Sequence, residues 1–511
     1  MFRNSNFTCP EKSPGIPSAV VAIIWKSKTT HAARPGLLPS LLLNFEPHLR
    51  SSIKRIAHAS LTHPIHAHQP PFSAATRRSG KSPEIRVRCD GGMDALPDGV
   101  VQHILSQLSN ARDVAACAAV ARCWRDCMPF LPSLYFPRGA FESVGVGPAS
   151  AVAAADDVIG RMVDAAARLE ELVVYCPFSA SLLPHWLAAR AATLRVLELR
   201  VESAADDKSG HLDSIGVATS LEELRLWALR MTRAPAWGQM ERLRVLEVVG
   251  AVLEDAAVNG AVAACPNLTD LALLGCECAG EAVISLAHLE RCRLDFVGSG
   301  NTSLRFAAPR VSSLEVQGFS LIYLQGGNRL KHLTISKNTG SVYHVEMGKL
   351  PELDHLSLRG VQWSWGAISS VLQCAGEVKH LVMKVEFCGD YDTLQPFPEL
   401  DLVEFFNSHP KLHKFEIHGA MFAALCQKNS LKKLDSRFVI PFLEHVLVTV
   451  RSPLNAEQKL DTLESLVRYS VRLRRMVIRI SQMKNCHGAA DDFFAEICKF
   501  AYMNSGRVCI E

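Results

Sequence analysis

Apolar residues in this chain follow two different periods. Between residues 96 and 124 the period is helical. Val100, Val101, Ile104, Leu105 and Leu108 share one face of a 3.6-residue repeat, opened by Leu96-Pro97. Ser109 and Asn110 interrupt the stripe, and Val114, Cys117, Ala121 and Trp124 form a second one. The spacing predicts two short amphipathic helices, with Asp98 and Asp113 as N-caps. About 30 residues with two apolar stripes cannot bury both faces alone. The plain reading is a helical pair covering the end of the next domain.

From residue 169 the unit becomes apolar-x-x-apolar-x-apolar. It runs from Leu169/Leu172/Val174 and Leu194/Leu197/Leu199 to Leu353/Leu356/Leu358 and Val378/Leu381/Met383, ten units whose starts lie 19 to 27 residues apart. Three more follow at wider spacing: Leu412/Phe415/Ile417, Leu443/Val446/Val448 and Leu473/Met476/Ile478. The last two apolar positions of each unit are two residues apart, so both point to one side of a strand. One unit has too little core to stand alone, and stacking buries a continuous apolar column. The spacing is in the leucine-rich-repeat range. The expected fold is an α/β leucine-rich-repeat solenoid with a parallel concave sheet, preceded by a small all-α helical module. Asp255–Cys265 and Trp365–Cys374 read as helical returns on the convex side. Other returns are short, and Gly298-Ser299-Gly300 and Gly326-Gly327 read as turns. The repeat lacks a constant Asn, which keeps an ordinary α/β sheet open as an alternative.

The polar positions between and after the inward residues would line the concave face. Tyr175, Arg200, Arg225, Trp227, Arg293, Asp295, Arg359 and Lys384 are candidate substrate contacts there, because aromatics and Arg anchor protein interfaces. Taken singly, each also fits a solvated sheet face. His332, His355 and His380 share one outward position in three consecutive units and could stack. A pH-sensitive patch or a metal site are the sharp readings. No Cys or carboxylate shares that position, so no metal and no cofactor is expected.

Composition supports a large core: 511 residues, 48% hydrophobic, mean hydropathy +0.10. The net charge of +4 hides an asymmetry, +9 over residues 1–92 and −5 over the remainder. The mildly acidic repeat part gives no electrostatic support to a nucleic-acid role. Residues 1–92 hold ten of the 26 Pro with no sustained period. They are expected to be a disordered or untranslated extension before Met93, with an organelle transit peptide as the alternative. The apolar run Ala19 to Trp25 is far too short to span a bilayer, so no membrane partner is expected. The 16 Cys include no C-x-x-C pair and many sit in apolar patterns, as in a reduced compartment. Nucleotide, hydrolase and zinc-protease motifs are missing, so catalysis finds little support.

The helical stretch resembles an F-box. Leu96-Pro97, Ile104-Leu105, Leu108, the segment Ala111-Arg112-Asp113-Val114, Val120 and Arg122-Cys123-Trp124 match that pattern in order, with one extra residue near Ser109-Asn110. Pro132-Ser133-Leu134-Tyr135-Phe136 is similar to the family's usual exit. Leu473-Arg474-Arg475-Met476-Val477-Ile478 resembles the FBD region that ends many plant F-box/leucine-rich-repeat proteins, which would cap the solenoid. The resemblance implies domains at 93–140 (F-box), 141–429 (solenoid) and 430–511 (FBD-like cap). It implies that Leu96, Pro97, Val100, Ile104, Leu105, Leu108, Val114, Val120 and Trp124 bind a Skp-type adaptor, held in turn by a cullin. The implied function is a non-catalytic substrate receptor of a ubiquitin ligase, in the nucleus and/or cytoplasm, with an unidentified protein substrate. A hormone-like small-molecule receptor and a non-ligase scaffold remain the alternatives.

Overall fold

The structure, a computed structural model, describes residues 97–511 apart from 109, 121, 142–146, 202–209, 279, 299, 301, 388–397, 428–436 and 482–486. Residues 1–96, and with them Leu96, Met93 and the expected extension, lie outside the described residues.

The described residues begin with α1 (Asp98–Ser106), α2 (Ala111–Val120) and α3 (Arg122–Asp126). Asp98 is the first helical residue and not the cap, which is Pro97. Asp113 likewise lies within the first turn of α2. Asn110 does the capping expected of Asp113, its Oδ1 accepting from Arg112 N at 2.9 Å. Residue 121, between α2 and α3, lies outside the described residues, and Trp124 is on α3.

There follow β1 (Ser133–Phe136), α4 (Pro148–Ala165), β2 (Glu171–Val174), α5 (Leu183–Arg190), β3 (Val196–Arg200), β4 (Glu223–Trp227), β5 (Arg230–Met231), β6 (Val245–Val249), β7 (Val252–Leu253), α6 (Asp255–Ala263) and β8 (Asp270–Cys276). The middle of the chain is all strand: β9 (Glu281–Ser285), β10 (Arg291–Phe296), β11 (Ser303–Ala307), β12 (Ser313–Gln317), β13 (Leu321–Gln325), β14 (His332–Lys337), β15 (His344–Met347) and β16 (His355–Trp363). Helices then return: α7 (Trp365–Cys374), β17 (His380–Phe387), α8 (Leu402–Ser408), β18 (Lys414–His418), α9 (Gly419–Gln427), β19 (His445–Val450), α10 (Ala456–Tyr469), β20 (Arg475–Ile480), α11 (His487–Met503) and β21 (Val508–Ile510).

Fifteen of these strands make one sheet, in the order β1-β2-β3-β4-β6-β8-β10-β12-β14-β16-β17-β18-β19-β20-β21, and every neighbouring pair is parallel. Together with its helical returns this is an α/β solenoid. All thirteen strands expected from the repeat are present in it. Their three apolar positions are buried throughout, from Leu169 at 0% to Leu473 at 5% exposed. Complete burial explains why the register is fixed: a slip by one residue would turn every inward Leu to solvent.

The returns correct the sequence expectation. Where units are short, from Leu268 to Leu353, β9, β11, β13 and β15 form a second parallel sheet in place of loops. Too few residues remain there for a helix to cross back, and extended chain covers the distance. Ala282/Ile284, Leu304/Phe306 and Ile322/Leu324 alternate inward and join the core of the main sheet, and between the sheets Phe319 meets Phe296 at 5.1 Å between rings.

Lys337 ties the two sheets. It is 1% exposed, and its Nζ donates to Gly318 O at 2.8 Å, Ser320 Oγ at 2.7 Å and Gly300 O at 3.3 Å. Burial pushes its amine below the usual lysine range. Lys337→Met keeps the stem and removes the donors, leaving buried oxygens with fewer partners. It is expected to lower stability by roughly 1–3 kcal/mol, read as a fall in melting temperature. An unchanged melt would show that the ammonium is not needed there.

Candidate functional site

The helical pair stands on the first edge of the sheet. Leu131, Leu134 and Phe136 are buried, and Glu170 and Glu171 donate backbone hydrogen bonds to Pro132 O at 2.8 and 2.9 Å. Arg112 Nη1 reaches Ala140 O at 3.2 Å, and the Arg168 guanidinium lies 5.1 Å from the Phe130 ring. The pair is thus packed on the solenoid and not tethered loosely.

That packing sorts the residues expected to meet an adaptor. Leu105, Val114 and Trp124 are 1 to 2% exposed and belong to the protein's own core, beside Val101, Cys117 and Cys127. The surface they would offer a partner is closed. Pro97 and Val100 are exposed, Val100 at 43%. Ile104 and Leu108 are half-buried. Val100 and Ile104 lie one turn apart on α1 and form a partly open apolar ridge, continued by Pro97 and Leu108 just outside the helix; Ile104 and Leu108 also pack in part against the core that holds Val101 and Leu105. The side chain of Val120 is outside the described residues, as is Leu96.

The eight expected concave-face residues divide into three groups. Near the helical pair, Glu198 gathers Tyr175, Trp227 and Arg225. Its Oε1 accepts from the Tyr175 hydroxyl and, at 3.0 Å, from Trp227 Nε1. Tyr135 stands edge-on to Tyr175 at 5.7 Å, and Tyr175 edge-on to Trp227 at 6.2 Å. Burial and the Glu198 charge push the Tyr175 hydroxyl far above its usual range. Arg225 lies among Glu223, Glu247 and Glu198, at 2.6, 3.5 and 3.9 Å. Arg200 pairs in register with Trp227. In the middle, Arg293 bonds Glu315 at 3.2 Å, and burial raises the neighbouring Asp295 carboxyl. Farther along, Arg359 donates to Ser357 Oγ at 3.0 Å and Lys384 pairs with Glu416 at 2.6 Å.

Comparison with known proteins bears on the helical pair first. The F-box-like family model matches residues 93–131. The F-box protein At1g10780 of Arabidopsis thaliana is 52% identical over 424 residues, which is 82% of this chain and 100% of the relative. This chain belongs to the F-box proteins.

Two features of this F-box protein were not assigned as sites from sequence. Tyr135 and Glu198 complete the aromatic group, yet Tyr135 lies in a segment read as the exit of the helical module. The histidine row is the second. His355 Nδ1 is 3.0 Å from His380 Nδ1, and the His332 ring centroid is 6.2 Å from that of His355. Among the described residues no three His, Cys, Asp or Glu side chains are placed to hold a metal ion. In register the row continues past His380 to Lys414, His445 and Arg475. The wider spacing of the later units hid that continuation.

Burial pushes the His355 imidazole down to about 4, aided by the charges of His380, His332 and Arg359. The unfolded chain takes up this proton near 6.5, while the folded protein refuses it until about pH 4. The unfolded state therefore binds more protons between these values, and stability rises with pH there. This contribution is present above 6.5 and lost as pH drops through about 4. His355→Gln is expected to flatten the dependence of melting temperature on pH across that window. A slope unchanged by the substitution would assign the acid sensitivity elsewhere.

Proposed function

We propose that this protein is the substrate-receptor subunit of a Skp–cullin–F-box ubiquitin ligase. The outer face of α1 docks a Skp-type adaptor, a cullin holds that adaptor, and the concave face recruits a protein for ubiquitination. The observation that carries this reading is the partly open apolar ridge of Pro97, Val100, Ile104 and Leu108 along α1, beside Val101 and Leu105, which are buried in the protein's own core. In this role Leu105, Val114 and Trp124 support the ridge from below and do not touch the adaptor. Such a subunit needs no chemistry of its own, since holding a substrate lysine near a conjugating enzyme raises its effective concentration. The ligase reading carries with it a location in the nucleus and/or cytoplasm.

A hormone-like receptor would need a deep basic pocket under the substrate. Arg225 and Arg293 are instead engaged by carboxylates on separate parts of the face. A scaffold without ligase function would leave the ridge without a purpose. Co-purification of a Skp-type adaptor with the intact chain tests the proposal. A stable complex is expected, and a folded chain that captures no adaptor would sink it.

A further inference from the structure

We infer that the far end of the concave face, over β17 to β21, receives an acidic segment of the recruited protein. The inference rests on the substrate-receptor reading and names the class of partner. Its floor is a depression of about 290 Å³ lined by His380, Lys414, His445, Arg475, Arg479, Glu416 and Glu511. The basic members His380, Lys414, His445 and Arg475 occupy one outward position on four neighbouring strands. Strand spacing sets them about 4.8 Å apart, close enough for one extended acidic chain to meet several of them in turn.

The depression already holds a carboxylate. Arg479 Nε and Nη2 donate to Glu511 Oε2 at 3.1 and 3.0 Å, and Arg475 Nη2 to Oε1 at 3.3 Å. Two guanidinium groups thus converge on one carboxylate, with charge-assisted hydrogen bonds to both of its oxygens. The other local acid is satisfied too. Burial alone would lift the Glu416 carboxyl, but hydrogen bonds from Lys384 at 2.6 Å and His418 at 3.1 Å hold it below the usual range. Among the described residues Lys414 forms no ion pair, so one cation at the centre of the row is left uncompensated.

The opposite end of the face excludes the same ligand. There Glu171, Glu198, Glu223 and Glu247 crowd around Arg225. Burial first, and then the Glu198 charge, raises the Glu171 carboxyl, against the pull of Arg225. The face is therefore polarised along the solenoid, acidic beside the helical pair and basic at the far end. An acidic peptide is steered to the far end alone. A nucleic-acid backbone, long enough to run the length of the face, would be repelled by its near half.

The test is fluorescence anisotropy with the intact chain and a labelled peptide alternating Glu and Gly, against its Gln counterpart, at low salt. The Glu peptide is expected to bind at least about tenfold tighter and to weaken as salt is raised. Lys414→Gln with Arg475→Gln, both exposed positions, is expected to remove that preference while the circular dichroism spectrum is kept. Glu511→Gln is expected to tighten binding, because it releases the clamp; a merely structural role for the Arg pair would not do this. Equal binding of the two peptides, or a preference that survives the double substitution, would overturn the inference. So would a single-stranded oligonucleotide of equal charge that binds as tightly as the Glu peptide. The measurement uses no adaptor, so its failure is separate from a failure of adaptor capture.

Discussion

Val100→Glu is expected to weaken capture of a Skp-type adaptor by at least about a hundredfold and to leave the melting temperature nearly unchanged. Val100 sits on the ridge between Pro97 and Ile104 and is 43% exposed, so a glutamate there stays hydrated while the protein is alone. Docking would strip that water from the carboxylate without supplying a partner, which costs several kcal/mol. The substitution separates docking from folding because it changes nothing inside. Trp124→Ala does not separate them. Trp124 is 2% exposed, and its loss is expected to cost about 3–5 kcal/mol of stability through the cavity left behind. Capture lost on Trp124→Ala would thus follow from a loosened helical pair. Adaptor affinity that is unchanged in Val100→Glu would show that the ridge is not the docking surface.

The second large effect is at Gly318, where the chain leaves the concave sheet for the convex one. Its φ is +99°, and a Cβ built there would lie 2.1 Å from Phe296 O. The same residue's carbonyl accepts from both Lys337 Nζ and Thr302 Oγ1, at 2.8 and 3.0 Å, so the peptide cannot swing away. Gly318→Ala combines an unfavourable backbone with a contact to rigid main chain, and is expected to cost roughly 3 kcal/mol or more. Gly250 makes the control. Its φ is +62°, but nothing lies within 4 Å of a Cβ built there, so Gly250→Ala should cost only about 1 kcal/mol. Thermal melts of the two variants compare them directly. Equal shifts would mean that the crossover between the sheets relaxes freely.

The core of the solenoid was legible because its signal is redundant. Leu197 and Leu199, or Leu356 and Leu358, are read correctly from a two-residue spacing that only a strand can place on one side. Two strands of the concave sheet escaped notice for different reasons. Leu131, Leu134 and Phe136 carry the repeat spacing in full, yet the family-like exit segment drew attention away from it. Val508 and Ile510 have Ser505 where the leading apolar residue should stand, so β21 follows an incomplete unit. The convex strands were hidden by the turn signals around them. Gly298 and Gly326 mark real changes of direction, but they border the short strand β11 on one side and follow β13 on the other.

The candidate sites were less legible, since side-chain neighbours on a sheet come from units far apart in sequence. Trp227 and Glu198 lie on two strands and Tyr175 directly follows a third, and they meet only when these align in register. Arg475, Arg479 and Glu511 converge through β20 and β21, and no local spacing announces it.

The sequence by itself determined the repeat, its strand positions and the two-helix module, because each depends on local periodicity and on the burial that periodicity demands. It could not divide the broad apolar face of the first helix. Val100, Val101, Ile104, Leu105 and Leu108 form one stripe in a helical projection. Only the packing of α1 on α3 buried Val101 and Leu105 and left Val100 exposed. Tertiary structure likewise decided the polarity of the concave face. The charges that create it are hundreds of residues apart, and only stacking of the strands gathers acids at one end and cations at the other.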